Sequence, residues 1–389
     1  MTLLSEETLH PALVVGQVNP NLFGQVRALG RQGVPVYALV TRGESPTAVR
    51  VSRYVTGVMD ARSLDNDALV ELINNFTAGF SRKPVLFPAG DFDVDRMAEL
   101  WGRISDGLIA TIPPVQASEL AGKDHQLEWV RRCGVPLPAS ETVKDSGQLA
   151  DALTRLRLPV IARPLDHIQR GNFPGKVFVA QSFEQLNSVL TPVLARGKTR
   201  ILLQEYIPGN ATSVWFALAD CAPDGSVRQI ITGHKCVDGP EGRTNIGRTA
   251  VEPNVEARAR KVFECFGVGG VLGVEFKKDL RNGELYYIET NFRPDNFVAI
   301  SEAAGVNLIF AAYLHAIGHP ELYQPQQQKD VVWRDWSLLL RRRIRGRPWY
   351  RGSNGKPLPV VDAFWASDDK WASLMYYAIK FWEQITGRT

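Results

Sequence analysis

The sequence predicts a mixed fold, in which a parallel α/β domain is followed by antiparallel sheets (α+β) and by a C-terminal segment of different composition. Short β-rich runs alternate with amphipathic segments as far as residue 112, and two apolar runs flank a Gly-containing turn near residue 282. Residues 326–389 are rich in tryptophan and arginine. Composition agrees with a soluble globular protein, since 44% of the 389 residues are hydrophobic and 22% are charged.

The first domain is predicted to span residues 1–112 and to contain a Rossmann-like parallel sheet. Strand-like and helical runs alternate in it, which is the pattern of βαβ units. Strands are predicted at 12–16, 35–40, 84–88 and 108–110, and helices at 23–32, 67–76 and 93–101. The stretch from Gly16 to Gly24 follows the first strand and opens a helix, where an anion could bind. It lacks the glycine spacing of a nicotinamide site.

Two further units are predicted at residues 113–200 and 201–325, followed by an appended segment at 326–389. Helices are predicted at 123–132, 146–156, 183–195 and 255–266, and strands at 159–162 and 201–204. Ser146 is a candidate helix N-cap. Two further strands, 212–219 and 227–234, are predicted to pair through the Asp224-Gly225 turn.

Charge and cysteine content exclude several function classes. The net charge of +4, from 45 basic and 41 acidic residues, gives no indication of a nucleic-acid partner. No apolar stretch is long enough to insert stably in a membrane and no leader peptide is evident, so we expect a cytoplasmic protein. Cys133, Cys221, Cys236 and Cys265 form no C-x-x-C pair, so we expect reduced thiols rather than disulfides or a zinc site.

The strongest functional signal is the stretch Gly283-Glu-Leu-Tyr-Tyr-Ile-Glu-Thr-Asn-Phe-Arg-Pro-Asp295. Together with the run 271–280 it predicts a hairpin around the three-residue loop Arg281-Asn282-Gly283, with the glycine in the left-handed conformation. In this register Leu280 pairs with Glu284. The loop therefore determines which residues face each other further along the two strands.

This register places two carboxylates opposite each other. Glu275 falls opposite Glu289, and Asn291 and Arg293 share their face because side chains alternate along a strand. Opposed carboxylates repel unless a cation lies between them, and carboxylate and amide oxygens are ligands that Mg²⁺ prefers. On this segment alone, a metal site and the solvated outer face of an antiparallel sheet are equally supported.

Over residues 11–320 the sequence resembles the ATP-grasp superfamily, and in particular its carboxylate-amine ligases, the group containing D-alanine and D-aspartate ligases. Gly273-Val-Glu275 followed by Ile288-Glu-Thr-Asn-Phe-Arg293 is similar to the metal-binding strands of that family. The resemblance implies Glu275, Glu289 and Asn291 as ligands of Mg²⁺, which Mn²⁺ could replace. It also places Arg293 where relatives hold an oxyanion.

The resemblance further implies a set of residues that bind ATP. Lys123 and Arg163 stand where the family has its two nucleotide lysines, and Arg163 keeps the positive charge. Lys176 lies in a Gly-containing stretch that would cover the triphosphate, although an ordinary surface turn is an equal alternative. Thr212 stands near the position of the acidic ribose ligand. The residues similar to the segment that lines the adenine pocket are Gln204, Glu205, Tyr206 and Ile207.

Basic residues before the metal strands are implied in catalysis and substrate binding. Lys235 resembles a lysine that in relatives reaches the transferred phosphate, and Arg243 and Arg248 could bind a carboxylate substrate. Taken alone, a lysine such as Lys235 is more often a solvated side chain. The two arginines are as readily interpreted as part of an exposed loop.

The implied function is enzymatic: an ATP-dependent ligase that joins a small-molecule carboxylate to an amine through an acyl phosphate and releases ADP and phosphate. In this interpretation residues 1–112 form the domain that precedes the ATP-grasp fold. Residues 113–200 form the small lid subdomain of the ATP-grasp fold, and residues 201–325 form its large subdomain with the metal site. The alternatives are a carboxylase-type ATP-grasp enzyme and a nucleotide-binding module without turnover. A homodimer is compatible with these features.

The C-terminal segment combines the basic run Arg341–Arg345 with several tryptophans. Large aromatic side chains are mostly buried, so we expect the tryptophans to pack this segment onto the rest of the protein. Docking on a membrane surface or on a partner is the alternative. These tryptophans include Trp333, Trp336, Trp349, Trp365 and Trp371.

Overall fold

The computed structural model describes residues 9–165, 173, 175, 177–195, 200–238, 243–324, 328–337, 351 and 355–386. These ranges contain a five-stranded parallel sheet, a four-stranded antiparallel sheet and a seven-stranded mixed sheet. The predicted fold class, a parallel sheet followed by antiparallel sheets, is confirmed.

The five-stranded sheet belongs to the first domain. Its strands are β1 (Ala12–Gly16), β2 (Val36–Val40), β3 (Gly57–Asp60), β4 (Val85–Pro88) and β5 (Ile109–Ala110). The accompanying helices are α1 (Pro20–Gly30), α2 (Thr47–Arg50), α3 (Asn66–Ala78), α4 (Asp91–Ile104) and α5 (Pro114–Leu120). The strand order is β3-β2-β1-β4-β5. Alternate residues of β1 enter two different hydrophobic clusters, because both faces of a parallel sheet are covered.

Helix α4 begins beside the carboxyl end of β4. It starts at Asp91 after the N-cap Gly90, two residues before the start predicted from the sequence. Asp93, in its first turn, is fully buried. Its Oδ1 accepts a hydrogen bond of 2.6 Å from the Thr41 hydroxyl, whereas its Oδ2 has no hydrogen-bond partner among the described residues. Burial raises the pKa of Asp93 to about 6.

The four-stranded sheet forms a small subdomain. It follows α6 (Lys123–Arg132) and contains β6 (Ser140–Val143), α7 (Ser146–Leu153), β7 (Val160–Pro164), β8 (Phe178–Ala180), α8 (Phe183–Leu194) and β9 (Ile201–Glu205). Because β9 pairs with β6 and β7, this sheet extends past the predicted boundary at residue 200. The N-cap of α7 is Asp145, whose carboxylate accepts from the Gln148 N–H, so the prediction of Ser146 as N-cap is wrong by one residue.

The seven-stranded sheet carries the opposed carboxylates. It contains β10 (Val214–Cys221), β11 (Val227–Asp238), β12 (Thr244–Thr249), β13 (Gly270–Lys278) and β14 (Leu285–Asn291), with α9 (Pro253–Phe266), α10 (Ala299–Ala303) and α11 (Leu308–Ala316). The hairpin predicted through Asp224-Gly225 is confirmed as the β10–β11 pair, and Gly225 has a φ of +81°.

The C-terminal segment continues this sheet rather than forming a separate unit. It contains β15 (Val332–Arg334), β16 (Val360–Asp362) and α12 (Lys370–Thr386). β15 pairs with β12, and β16 lies parallel to β15. Asp369, just before α12, accepts a hydrogen bond of 3.0 Å from Arg27 of the first domain. Among the helices described, none has the length and apolarity needed to cross a membrane.

The expectation that the tryptophans pack this segment is only partly correct. Trp333 is buried and Trp336 is half-buried. Trp365 and Trp371 are 45% and 66% exposed, so for these two the prediction is wrong. Trp349 lies outside the described residues.

The expectation of four reduced cysteines is also wrong for one pair. Cys133, at the end of α6, is joined by a disulfide to Cys265 in α9, with the Cα atoms 6.2 Å apart. The two residues are separated by 132 positions, so only the packing of α6 against α9 brings them together. Cys221 and Cys236 take no part in this bridge.

We expect the disulfide to stabilise the oxidised protein. Cys133→Ser should lower the free energy of unfolding by about 2–4 kcal/mol, because a bridge that closes a long loop restricts the unfolded chain. Thermal unfolding of the wild type and the variant, with and without dithiothreitol, measures this. A difference that persists under reducing conditions would assign the loss to packing instead.

We also expect Asp93 to make stability depend on pH. The pKa of Asp93 is raised to about 6 in the folded protein, so folding favours the protonated carboxyl group. The free energy of unfolding should therefore fall as the pH rises through about 6, because the buried group then ionises. Asp93→Asn keeps an oxygen that can accept from Thr41. It should stabilise the protein by up to about 3 kcal/mol at pH 7, and this gain should disappear as the pH falls towards about 4. Denaturant unfolding at both pH values measures the gain, and an equal gain at both would contradict the assignment.

Candidate functional site

The opposed carboxylates lie on the β13–β14 hairpin as predicted. Glu275 pairs directly with Glu289 in the antiparallel register, and Gly273 pairs with Asn291. Opposed residues share a face and neighbours alternate, so both glutamates and Asn291 lie on one face of the sheet. The predicted pairing is therefore confirmed.

The predicted pairing arises in an unexpected way: the loop is one residue longer than predicted, and an extra residue in β14 compensates for this. The loop has four residues, Leu280 to Gly283, and is closed by Asp279 and Glu284, whose backbone N–H and carbonyl lie 2.8 Å apart. This shifts the pairing next to the loop by one residue. β14 then contains one extra residue, Ile288, between the residues opposite Glu275 and Phe276, which restores the predicted pairing. Gly283 adopts the expected left-handed conformation, with a φ of +77°.

Each carboxylate of the pair is held by a lysine. Lys235 Nζ of β11 lies 2.9 Å from Glu275 Oε2, and both side chains are nearly buried. Lys123 Nζ, at the start of α6, lies 3.2 Å from Glu289 Oε2, and about a third of each of these side chains is exposed. The two ammonium groups are cations beside the carboxylates, so the protein itself offsets part of the repulsion between them.

The two carboxylates have opposite pKa shifts. Burial raises the pKa of Glu275, and the neighbouring charge of Glu289 adds to the shift while Lys235 opposes it. Although burial acts against it, Lys123 and Arg163 lower the pKa of Glu289 to about 2. One carboxyl group of the pair is thus easier to protonate than an ordinary glutamate, as expected, but burial is a larger cause than the neighbouring charge.

Arg163 contributes a positive charge from the four-stranded sheet to the same acidic pair. It lies on β7, its charge acts on Glu289, and its buried Nε has no hydrogen-bond partner among the described residues. Three cations, from α6, β7 and β11, therefore surround one acidic pair. Such a group of cations next to carboxylates can bind a polyphosphate together with a divalent ion.

Arg293 is held by carboxylates from two domains. Its Nε lies 2.9 Å from Asp91 Oδ1 in the first domain, and its guanidinium also contacts Asp295 at 2.9 Å. Asn291 donates through Nδ2 to Asp295 Oδ1 at 2.7 Å. Asp295 is buried, its Oδ2 has no partner among the described residues, and burial raises its pKa to about 7.

The segment predicted to line the adenine pocket lies at the end of β9. The Gln204 amide donates to Ser140 at 3.1 Å, and the Glu205 carboxylate accepts from the Arg157 N–H at 2.8 Å. Tyr206 donates its N–H to the Pro159 carbonyl, and Ile207 follows it, half-buried. The Glu205 side chain therefore holds the loop between α7 and β7.

The remaining predicted residues are not all brought to the acidic pair. The Thr212 hydroxyl donates to Asn210 at 2.6 Å in a short 3₁₀ turn before β10. Lys176 lies outside the described residues. Arg243 is exposed.

Arg248 lies on the other face of the sheet from the acidic pair. Arg248 is paired with His234, and His234 is paired in turn with Trp215. Trp215 is paired with Phe276, so these four side chains share one face of the sheet. Glu275 directly precedes Phe276 in β13, so its side chain lies on the other face. The Arg248 guanidinium is paired with Asp330 at 3.0 Å. The structure therefore does not bring Arg248 together with the other predicted catalytic residues.

Comparison with known proteins gives relatives at low sequence identity. No family model matches the chain. The D-aspartate ligase of Enterococcus faecium (strain Aus0004) is 20% identical over 329 residues, which cover 79% of this chain and 76% of that protein. The L-amino acid ligase from Bacillus licheniformis has a TM-score of 0.62 and 16% identity, and the match covers 82% of this chain and 78% of that one.

A third relative matches almost the whole chain. It is the ADP complex of purK, an N5-carboxyaminoimidazole ribonucleotide synthetase, with a TM-score of 0.65 and 14% identity over 97% of this chain and 98% of that one. The protein has the ATP-grasp fold. The resemblance read from the sequence is thereby confirmed at the level of the fold.

One residue beside the β13–β14 hairpin, Asp295, was missed by sequence reasoning. It ends the stretch that predicted the hairpin but was assigned no role there. Its Oδ2 occupies the space beside Gly273, where a Cβ would collide with it. A glycine inside a strand marks such a close approach and was the available signal.

A second missed residue, Gln126, fixes the ATP-grasp hairpin to α6. Its Oε1 accepts from the Thr290 N–H at 3.0 Å and from the Tyr287 hydroxyl at 2.7 Å, and its Nε2 donates to the Thr290 carbonyl at 2.9 Å. Gln126 lies one turn after Lys123, so these bonds place Lys123 beside Glu289. The signal was a polar side chain on the buried face of an amphipathic helix.

The donor set fits a divalent cation. Asn291 uses its nitrogen towards Asp295, so its carbonyl oxygen faces away from that bond and can serve as a ligand with the two glutamates. The unpartnered Asp295 Oδ2 adds a buried oxygen nearby. Within the described ranges no group of three or more His, Cys, Asp or Glu side chains is placed to hold a metal ion, and the predicted ligand set has two carboxylates and an amide.

A separate cavity of about 330 Å³ lies between α6 and strands β6 and β9. Its lining includes Glu128, Arg131 and Ser140. None of the predicted ATP-site or metal-site residues lines it, so the acidic pair and its cations, not this cavity, form the candidate site.

We expect Gln126→Leu to weaken both the fold and the site. It leaves the Thr290 N–H and carbonyl buried without partners, which costs about 1–3 kcal/mol for each unpaired group. ATP affinity should fall as well, because Lys123 loses its fixed position. Denaturant unfolding and ATP titration measure the two effects.

The control for this prediction is Gln185→Leu. Gln185 is exposed on α8 and accepts a hydrogen bond from the Gln181 N–H. This variant should keep its ATP affinity. Unchanged ATP affinity in Gln126→Leu would show that Gln126 is structural only.

Proposed function

We propose that the protein is an ATP-dependent ligase that joins a carboxylate to an amine and releases ADP and phosphate. The observation that carries the proposal is the convergence of Lys123, Lys235 and Arg163 on the Glu275–Glu289 pair. These residues come from separate elements of an ATP-grasp fold. Relatives with this fold include proteins named as a D-aspartate ligase and an L-amino acid ligase.

The cations would bind the phosphates of ATP. Lys123 and Arg163 are positioned for the triphosphate from the side of α6 and the small sheet, and Lys235 approaches from the large sheet. Although burial opposes it, the charge of Glu275 raises the pKa of Lys235, so this ammonium stays protonated at neutral pH. Lys176 is proposed to add a further charge over the triphosphate.

The nucleoside would lie along the end of β9. Glu205 and the backbone of Tyr206 and Ile207 are proposed to face adenine, with Gln204 beside them. Thr212 is proposed to approach the ribose. The Glu205 carboxylate already accepts one hydrogen bond from the Arg157 N–H and has lone pairs left for an adenine amino group.

Mg²⁺ would be held by Glu275, Glu289 and Asn291, and Mn²⁺ could replace it. When bound, the ion supplies positive charge against the phosphate oxygens and polarises the terminal phosphate. Arg293 is proposed to stabilise negative charge on the transferred group. Its pKa is raised, although burial opposes this, by Asp91 and Asp295, so it remains charged.

The chemistry would proceed in two displacements. A substrate carboxylate oxygen attacks the γ-phosphorus and the bond to the β-phosphate oxygen breaks, which gives an acyl phosphate and ADP. The amine nitrogen then attacks the acyl carbon, phosphate leaves, and the nitrogen loses one proton as the amide forms. Phosphoryl transfer needs positioning and charge more than covalent help, and the three cations and Arg293 would provide these.

The substrates are proposed to be amino acids, since the names of two relatives specify aspartate and L-amino acids. Arg248 and Arg243 remain proposed contacts to a substrate carboxylate, although Arg248 lies on the opposite face of the sheet from the acidic pair. ADP release measured with pools of amino acids and other amines tests the proposal. Tight ATP binding without substrate-stimulated ADP release would favour a nucleotide-binding module instead.

A carboxylase-type reaction is the second candidate. It is favoured by the match to the N5-carboxyaminoimidazole ribonucleotide synthetase, which covers 97% of this chain and includes the C-terminal segment. The two candidates differ in what stimulates ADP release. Bicarbonate with an aminoimidazole ribonucleotide would do so in the second case, and an amino acid with an amine in the first.

We expect Glu275→Gln and Glu289→Gln both to abolish ADP release but to differ in stability. Glu275→Gln breaks a buried ion pair and should cost about 3 kcal/mol or more. Glu289→Gln removes a pair whose side chains are each about one-third exposed and should change stability by at most about 1 kcal/mol. The measurements are magnesium-dependent ATP affinity, ADP release and thermal unfolding. Near-normal turnover in either variant would contradict the proposed site.

A further inference from the structure

The outward face of α12 is an exposed apolar stripe. Trp371 and Phe381 are each 66% exposed, and Trp382 is 65% exposed. At 100° per residue the six side chains of the stripe fall within an arc of about 100°, so they form one continuous face of the helix. The C-terminal stripe consists of Trp371, Leu374, Ala378, Phe381, Trp382 and Ile385.

The exposure of the stripe does not come from a loosely attached helix. The inward face of α12 is buried and includes Ser373 and Tyr376, and the Tyr376 ring stacks on Phe364. Lys380 is ion-paired with Glu44 of the first domain. The packed inner face fixes the rotation of the helix, so the stripe is held outward by the fold.

The size of the stripe exceeds what scattered surface residues explain. Three aromatic side chains that are two-thirds exposed amount to roughly 400 Å² of mostly apolar surface, before Leu374 and Ile385 are added. Contiguous patches of this size on a monomer usually mark an interaction site. The stripe therefore needs an occupant.

Charge distinguishes between two candidate binding partners of the stripe, a second copy of the chain and a lipid surface. Exposed Arg50 and Arg53 lie on and after α2, which packs against α12, and Lys370 lies beside Trp371. A second copy of the chain would bring two such positive surfaces together, whereas an anionic lipid surface is complementary to them.

We infer that the C-terminal stripe binds the surface of an anionic lipid bilayer. Tryptophan, phenylalanine and aliphatic side chains would enter the boundary between headgroups and acyl chains, with the neighbouring cations facing lipid phosphates and carboxylates. The inner face of α12 stays packed on the protein, so the helix lies along the membrane and does not cross it. This inference is independent of the proposed ligase activity.

The test is co-sedimentation of the full chain with vesicles of phosphatidylcholine containing phosphatidylserine. The wild type should bind these vesicles, and the double variant Phe381→Ser, Trp382→Ser should bind at least about tenfold more weakly, because two deeply inserted rings are lost. Raising the salt concentration should also weaken wild-type binding, since it screens the cations. Val251→Ser is the matched control, because Val251 is 63% exposed outside the stripe.

Each outcome decides the inference. Loss of binding in the double variant, with the control bound normally and both variants melting like the wild type, supports it. Equal binding to vesicles of phosphatidylcholine alone would overturn the role of charge, and no binding to either kind of vesicle would overturn the inference. A concentration-dependent dimer in sedimentation velocity that the double variant abolishes would assign the stripe to a second copy and would also overturn it.

Discussion

The opposed pair Glu275 and Glu289 is the constraint on which the arrangement of the site depends. Two carboxylates on neighbouring strands are stable together only if positive charge lies close to both. Lys235 supplies it from within the large sheet and Lys123 from α6. Because both lysines come from other elements, the hairpin, β11 and α6 must pack in one arrangement, and that arrangement brings the lysines to the acidic pair.

The segment after β14 connects the acidic hairpin to the first domain. Arg293 is paired with Asp91 at the start of α4, and the Asn21 amide donates to the carbonyls of Pro294 and Ala89. In open parallel sheets, ligands bind beyond the carboxyl ends of the strands. Here β4 ends directly before these contacts, so the carboxyl edge of the first sheet abuts the acidic hairpin.

Several features of the site could be predicted because they depend on local geometry. A glycine turn between two apolar runs determines a hairpin, and alternation determines which side chains share a face. The pairing of Glu275 with Glu289 was correct although the loop has one residue more than predicted, because Ile288 compensates for it. This bulge has no sequence signal, because Ile288 is not the glycine that marks a G1 bulge. The Tyr287 N–H at the bulge donates to the Pro136 carbonyl, far away in the chain.

What the sequence by itself determined was the fold class and the hairpin that carries the two acidic residues, since each follows from periodicity and a glycine turn within a few residues. The exact pairing of Glu275 with Glu289 also depended on the extra residue Ile288 in β14. Tertiary structure decided which charges meet. The lysine partners of the carboxylates, the Cys133–Cys265 bridge and the anchoring of β14 by Gln126 join positions far apart in the chain. It also decided that α12 turns its tryptophans outward, because rotation of a helix is set by the surface against which it packs, and residue spacing alone does not specify that surface.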